Sequence, residues 1–202
     1  MTAKIALFDL GNVVVDWEPA RLYRQLMNTR EEADCFFRDI CTLAWHTNHD
    51  RGMAMDENID ALIAHHPDKA DYIRAWKSGW LEMFHGYVDG VPAILDALRQ
   101  KSTPMYALTN FPAEKWDETV AAFPYLGAFD DVIVSGVEKC VKPDPKIYEI
   151  TLARMGNPSP RTVIFFDDRL DNVRAAQALG FQARQFIDAP TLKRDLEDVG
   201  LL

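Results

Sequence analysis

Three apolar runs of this chain stop abruptly at residues able to hold phosphate or a cation. Ile5 to Phe8 runs into Asp9, Met105 to Leu108 into Thr109 and Asn110, and Thr162 to Phe166 into Asp167 and Asp168. A fourth polar group, Lys142, stands between the second and third of these, in a segment with Pro143 and Pro145. Short continuous apolar runs suit strands buried on both faces of a parallel sheet. In such a sheet the carboxyl ends share one edge, so side chains far apart in sequence can converge there. Taken alone, Asp9 reads equally well as a nucleophile or as a turn-capping carboxylate. Together the four groups make chemical sense. Asp9 and one of Asp167 or Asp168 suit Mg²⁺, a hard cation that takes few carboxylates and keeps waters. Lys142 and the metal would neutralise a phosphoryl group, while the Thr109 hydroxyl and backbone N–H groups hold its oxygens. Asp9 would then attack phosphorus to form an aspartyl-phosphate, which water hydrolyses. Asn110 is a phosphate-binding candidate that can equally shape the turn. Asn172, at a helix start, reads as a supporting residue behind the carboxylates.

The elements that must position these groups are legible from periodicity. Gly11 and Asn12 supply the turn that takes the chain out of the sheet after Asp9. Glu18–Pro19 opens a helix carrying Leu22, Tyr23, Leu26 and Met27, and a second helix is expected over 31–45. The polar stretch HTNHDRG at 46–52 reads as a loop, in which His46 and His49 would be solvated. Asp56 reads as the N-cap of a helix carrying Ile59, Leu62 and Ile63. Ile73, Trp76, Trp80 and Phe84 mark one face of another helix, with Trp76 and Trp80 in its core. Trp17 stands closer to the site entrance. Nearly pure helix over 17–88 is far longer than an ordinary strand-to-strand crossover. The expectation is an α/β protein: a parallel-sheet core, 1–16 and 89–202, with an all-helical insertion, 17–88, over the mouth of the sheet. From Asp89 onward helices and strands alternate, with one helix carrying Val91, Ile94, Leu95 and Leu98, others within 113–123, over 147–155 and over 173–179, a short strand at 132–134, a last strand at 182–187 and a closing helix at 190–199.

Composition bounds the partners. The chain has 202 residues, 48% hydrophobic and 26% charged, with a formal net charge of -9. A protein this acidic does not hold nucleic acid or an anionic membrane through a broad basic surface, although a small anion can bind at a local cation. No apolar stretch approaches a membrane span. Three cysteines, with no CxxC pair and no zinc spacing, fit a reducing cytoplasm, and no signal peptide is expected ahead of the first strand. Oligomeric state is left open.

The same residues form a pattern that resembles the haloacid dehalogenase-like hydrolase superfamily over nearly the whole chain. FDLGNV at 8–13 resembles its first motif, LTN at 108–110 its second, KP at 142–143 its third, and FFDDRLDN at 165–172 its fourth. The wording is similar to a bacterial subgroup that includes an α-glucose-1-phosphatase, and to the phosphatase domain of soluble epoxide hydrolases. The resemblance implies a Rossmann-like core with a helical cap over 17–88, and a Mg²⁺-dependent phosphatase acting on a small phosphorylated metabolite such as a sugar phosphate. It implies Asp168 as a direct metal ligand, the Gly11 carbonyl as another, and Asp167 behind them accepting a bond from Lys142.

The chain departs from that pattern at one position. Most phosphatases of the superfamily carry a second Asp two residues after the nucleophile, which protonates the leaving group and later activates water. Here that residue is Gly11. General acid–base help is worth ~10²–10⁴ in rate, so its loss leaves three readings: a phosphatase that favours good leaving groups or borrows a proton donor, a 2-haloacid dehalogenase, or a phosphate-binding protein with little turnover.

Overall fold

The computed structural model describes residues 3–202. Seven strands are found among them: β1 (Ile5–Phe8), β2 (Val15–Trp17), β3 (Phe84–Tyr87), β4 (Met105–Thr109), β5 (Asp131–Val134), β6 (Val163–Asp167) and β7 (Gln182–Gln185). The helices are α1 (Ala20–Leu26), α2 (Arg30–Asp39), α3 (Leu43–Asp50), α4 (Met55–His65), α5 (Ala70–Ser78), α6 (Val91–Gln100), α7 (Trp116–Ala122), α8 (Ser135–Glu138), α9 (Pro145–Arg154), α10 (Leu170–Ala178) and α11 (Ala189–Asp198).

Five strands form one parallel sheet in the order β5-β4-β1-β6-β7. β1 is central, with Phe8 level with Ala107 of β4 and Phe166 of β6. The three apolar runs therefore lie side by side and end at one edge. Successive side chains of a strand point to opposite faces. Ala6, Phe8, Ala107, Ile164 and Phe166 enter one core with α6 and α11, while Leu7, Leu108, Val163 and Phe165 enter a second core with α9 and α10. Both faces are covered, which is why these strands read as continuous apolar runs. The architecture is α/β and Rossmann-like.

Between β1 and α6 the chain inserts β2, α1 to α5 and β3. β2 and β3 pair antiparallel as a small ribbon where the chain leaves and rejoins the sheet, and Val88 N donates to Val14 O at 2.9 Å. Neither strand is apparent in the sequence. The helix expected through Trp80 and Phe84 ends at Ser78, and the Gly79 that follows packs so closely against Leu22 that a Cβ there would lie 2.5 Å from Leu22 Cδ1. Trp80 then sits on a 3₁₀ turn and Phe84 opens β3. The long helix expected over 31–45 is two helices. Ile40 and Cys41 break it, and Thr42 starts α3 by accepting from Trp45 N at 3.0 Å. The segment 46–52 is thus mostly helix, not loop, and His46, His49 and Asp50 are buried. Asp56 is not an N-cap. α4 begins one residue earlier, and its Met55 N donates at 2.8 Å to Oε1 of Glu114, a cap brought from a distant segment.

Candidate active site

Asp9 follows β1 directly. Its N–H donates to Phe166 O at 2.8 Å, which ties it to the end of β6. The turn after it winds on the Leu10 carbonyl, which accepts from Val14 N and Val15 N at 2.8 and 3.0 Å. The left-handed residue of this turn is Asn12, with φ 57°, and its Oδ1 accepts from Trp17 N at 3.0 Å. Gly11 has an ordinary φ, and a Cβ placed there would meet nothing within 4 Å. The turn does not demand glycine at this position.

Lys142 is 4% exposed and lies beneath the strand ends. Its Nζ donates to Leu108 O at 2.8 Å and Asp167 Oδ2 at 2.7 Å, and pairs with Asp9 Oδ1 at 2.9 Å. Asn110 fixes the loop that delivers it. The Asn110 amide accepts from Lys142 N at 2.8 Å and donates to Lys142 O at 3.0 Å. Both ends of that amide are thereby engaged with the Lys142 backbone. Thr109 ends β4, buried and facing the same cavity as Asp9.

Asp167 is fully buried and fully engaged. Oδ1 accepts from Arg169 N at 2.8 Å, Oδ2 from Lys142, and Asn172 Nδ2 lies 3.0 Å from both oxygens. Asn172 stands in the first turn of α10, next to Asp171. Asp168 makes no side-chain hydrogen bond to the described residues, although its carbonyl accepts from Gln185 Nε2 at 2.8 Å. Its carboxylate lines the cavity. One carboxylate oxygen from each of Asp9, Asp167 and Asp168 falls within 4.8 Å of the others.

Crowding of these carboxylates has an electrostatic cost. Burial pushes the Asp9 carboxyl up to about 8; Lys142 opposes the rise, and Asp167 and Asp168 add to it. Burial and Asp167 also raise Asp168. Burial alone would lower the Lys142 ammonium, but Asp167 and Asp9 outweigh it and raise it, so Lys142 stays charged. Oxygen-only donors with excess negative charge are the donor set a hard divalent cation takes. The residues present fit Mg²⁺.

A cavity of about 610 Å³ opens over this floor. Its wall carries Trp17, Trp80, Phe84 and Phe111, and α3 contributes His46 and Asp50. Trp80 is both core and wall: it is buried, and its Nε1 donates to Thr119 Oγ1 at 2.8 Å. Trp76 is buried among the helices and does not line the cavity. Periodicity in apolar residues could not show α3, because the face that it buries is polar. The signal present was the spacing of His46, His49 and Asp50 itself, which is helical.

The model of the haloacid dehalogenase-like hydrolase family matches residues 3–180. A flavin mononucleotide hydrolase of Arabidopsis thaliana chloroplasts is 30% identical over 118 residues, 58% of this chain and 47% of that protein. A sesquiterpene phosphatase of Aspergillus oryzae is 32% identical over 97 residues, 48% of this chain and 49% of that one. The chain thus spans about half the length of each. Among solved structures, a family enzyme of Bacteroides thetaiotaomicron in complex with magnesium superposes with a TM-score of 0.72 at 20% identity, covering 94% of this chain and 95% of that one. An L-2-haloacid dehalogenase superposes at 0.69 with 18% identity, covering 98% and 100%. These likenesses establish the fold and leave the choice of reaction to the site.

Proposed function

The chain belongs to the haloacid dehalogenase-like hydrolases, and from that premise we propose that it is a Mg²⁺-dependent phosphatase of small phosphorylated metabolites working through an aspartyl-phosphate on Asp9. The observation that carries this reading is the set of three carboxylates converging at the strand ends, faced by a buried lysine. Displacement of a halide has no evident use for such a cation site.

Each residue has a task in this reading. Asp9 Oδ1 is held by Leu10 N at 2.6 Å and by Lys142, while Oδ2 takes no hydrogen bond from the described residues. Oδ2 is the oxygen free to form the bond to phosphorus. Asp9, Asp168 and the Gly11 carbonyl would hold the metal. Asp167 stays behind them, since its oxygens are occupied by Lys142, Asn172 and Arg169 N. When bound, the ion supplies positive charge beside the phosphoryl oxygens. Lys142 adds a second positive charge from the loop between α8 and α9, and Thr109 offers a hydroxyl. Asn110 and Asn172 act by fixing Lys142 and Asp167.

The organic part of the substrate would lie on the aromatic wall, which suits a flat or apolar face: a planar ring, an isoprenoid chain or the C–H face of a sugar. The relatives named above act on a flavin and a sesquiterpenoid phosphate, and a further relative, from Thermotoga maritima, is a phosphatase of phosphorylated carbohydrates. No helix among the described residues is long and apolar enough to cross a membrane, and the three cysteines are free thiols, as a reducing compartment would keep them.

The aromatic wall also fits a halide cradle, so 2-haloacids belong in the test. Flavin, terpenoid and sugar phosphates and 2-haloacids are each assayed with Mg²⁺ and with EDTA. Phosphate release that needs Mg²⁺ is the expected result. Halide release that ignores EDTA would establish the dehalogenase instead, and tight phosphate binding without turnover would establish a binding protein.

A further inference from the structure

The phosphatase reading leaves one chemical task without a residue, because Gly11 has no side chain to protonate the leaving oxygen. The cavity contains few groups that could. Asp9 is the nucleophile and Asp168 faces the metal position. Lys142 is fixed on two carboxylates and a carbonyl, and the Arg169 side chain is turned onto Asp171 at 2.7 Å. His46 and Asp50 of α3 remain.

A chain of hydrogen bonds decides between them. Asn58 Nδ2 lies 3.1 Å from Trp45 O, a pure acceptor, so that end of the amide is the nitrogen. The same Nδ2 lies 2.8 Å from His49 Nε2, which must accept. Burial pushes His49 down to about 4, so it is neutral and carries its proton on Nδ1. That proton points at His46 Nδ1, 3.3 Å away. Burial also holds His46 well below the usual imidazole range, so His46 is neutral with its own proton on Nε2. His46 Nε2 in turn lies 3.3 Å from Asp50 Oδ1. His46 Nδ1 is taken by His49, and the proton on Nε2 of a neutral imidazole is too weakly acidic to be given to a leaving oxygen. Asp50 is the acid that remains.

Asp50 is 6% exposed. Its Oδ1 is enclosed and out of line with His46, so it completes no hydrogen bond, and Oδ2 also takes none from the described residues. An unpaired buried carboxyl costs free energy unless it stays protonated or meets a ligand. Its place is fixed relative to the sheet, not only to the inserted helices. Ser135, just after β5, donates from Oγ to Asp50 O at 2.7 Å and accepts from Phe111 N at 2.9 Å.

We propose that Asp50 is the general acid and base of this site, standing in for the missing side chain at position 11. The assignment rests on the phosphatase reading. In the first half-reaction Asp9 Oδ2 bonds to phosphorus, the bond from phosphorus to the leaving oxygen breaks, and the proton on Asp50 moves to that oxygen. In the second, water attacks phosphorus, its proton passes to the Asp50 carboxylate, and the bond from phosphorus to Asp9 breaks. Phosphate leaves and Asp50 is protonated again. Burial pushes Asp50 up to about 7, against the pull of Lys142 and Arg51, and a group poised there can both give and take a proton near neutrality.

The test is a ratio. The kcat/KM values for p-nitrophenyl phosphate, whose leaving group needs no proton, and for a simple alkyl phosphate are measured with Mg²⁺ in the wild type, Asp50→Asn and Asp9→Asn. Asp50→Asn should raise the aryl-to-alkyl ratio by ~10²–10⁴, and adding Gly11→Asp to it should bring the ratio back down. Asp50→Ser gives the same readout if the Asn form does not fold. A role confined to structure would lower both values together, so an unchanged ratio overturns the assignment. Activity lost in Asp9→Asn with that unchanged ratio overturns Asp50 alone. Activity kept in Asp9→Asn, or none in the wild type, overturns the phosphatase reading as well.

Discussion

Replacing Lys142 by Met tests the electrostatics of the site without any assumption about substrate. Met keeps most of the volume and removes the charge. The Lys142 side chain is 1% exposed and that of Asp167 is 0%, so the pair is fully desolvated. Removing one partner of a buried ion pair costs about 3–5 kcal/mol, because the other charge is left uncompensated. Two features place this case at the lower end. Asp167 keeps its bonds from Asn172 and Arg169 N, and Asp9, already pushed up to about 8, can hold its proton at neutral pH. A loss of about 3 kcal/mol corresponds to ~6–12 °C in Tm for a domain of this size. The loss should also grow with pH. A carboxyl raised above its unfolded value stabilises below the unfolded value and ceases to as pH rises through the folded one. Without Lys142 the Asp9 carboxyl must ionise against Asp167 and Asp168 alone. Thermal melts in EDTA across about pH 6 to 9 measure both effects. A Tm within about 2 °C of wild type, equivalent to under ~1 kcal/mol, or a difference that shrinks as pH rises, would refute the buried pair.

Three other perturbations separate the parts of the site. Asp168→Ala should raise the melting temperature of the metal-free protein by relieving repulsion, and should abolish the rise that saturating Mg²⁺ gives the wild type, which is about 2.7 kcal/mol at a hundredfold excess over Kd; a Mg²⁺ titration by thermal shift checks both. Gly11→Asp should fold with a stability change under about 1 kcal/mol, since its φ is ordinary and its Cβ meets nothing; failure to fold would mean that the turn needs glycine. Asp50→Asn should flatten the dependence of stability on pH. The wild-type carboxyl, raised by burial to about 7 against the pull of Lys142 and Arg51 and beside a neutral His46, gives stability that is lost as pH rises through that value, and the amide has no such loss. Urea midpoints from about pH 5 to 8 distinguish parallel profiles, which would contradict the assignment of that raised carboxyl, from converging ones.

The sheet was legible because burial on both faces leaves an unmistakable trace. IALF, MYAL and VIFF are strands with no polar face, and each breaks to a polar residue where the sheet edge meets the cavity. Asp9, Thr109 and the pair Asp167 and Asp168 followed from that edge, Lys142 from the loop between two of the strands, and the choice of Asp168 over Asp167 from the family resemblance. What was illegible depends on contacts distant in sequence. FHGY is too short and too polar to read as a strand until β2 pairs with it. The cap of α4 is Glu114, fifty-nine positions away. Asp50 was hidden because its helix turns His46, His49 and Asp50 inward, where solvated loop residues were expected. A buried polar face defeats a pattern search built on apolar residues.

Rapid acid quench of the first turnover, followed by mass analysis of the peptide that contains Asp9, tests the covalent mechanism most directly. The predicted result is one phosphoryl group on Asp9 in the wild type, present before product accumulates and absent from Asp9→Asn. Phosphate release at full rate with Asp9 never labelled, or with the label on another residue, would contradict it.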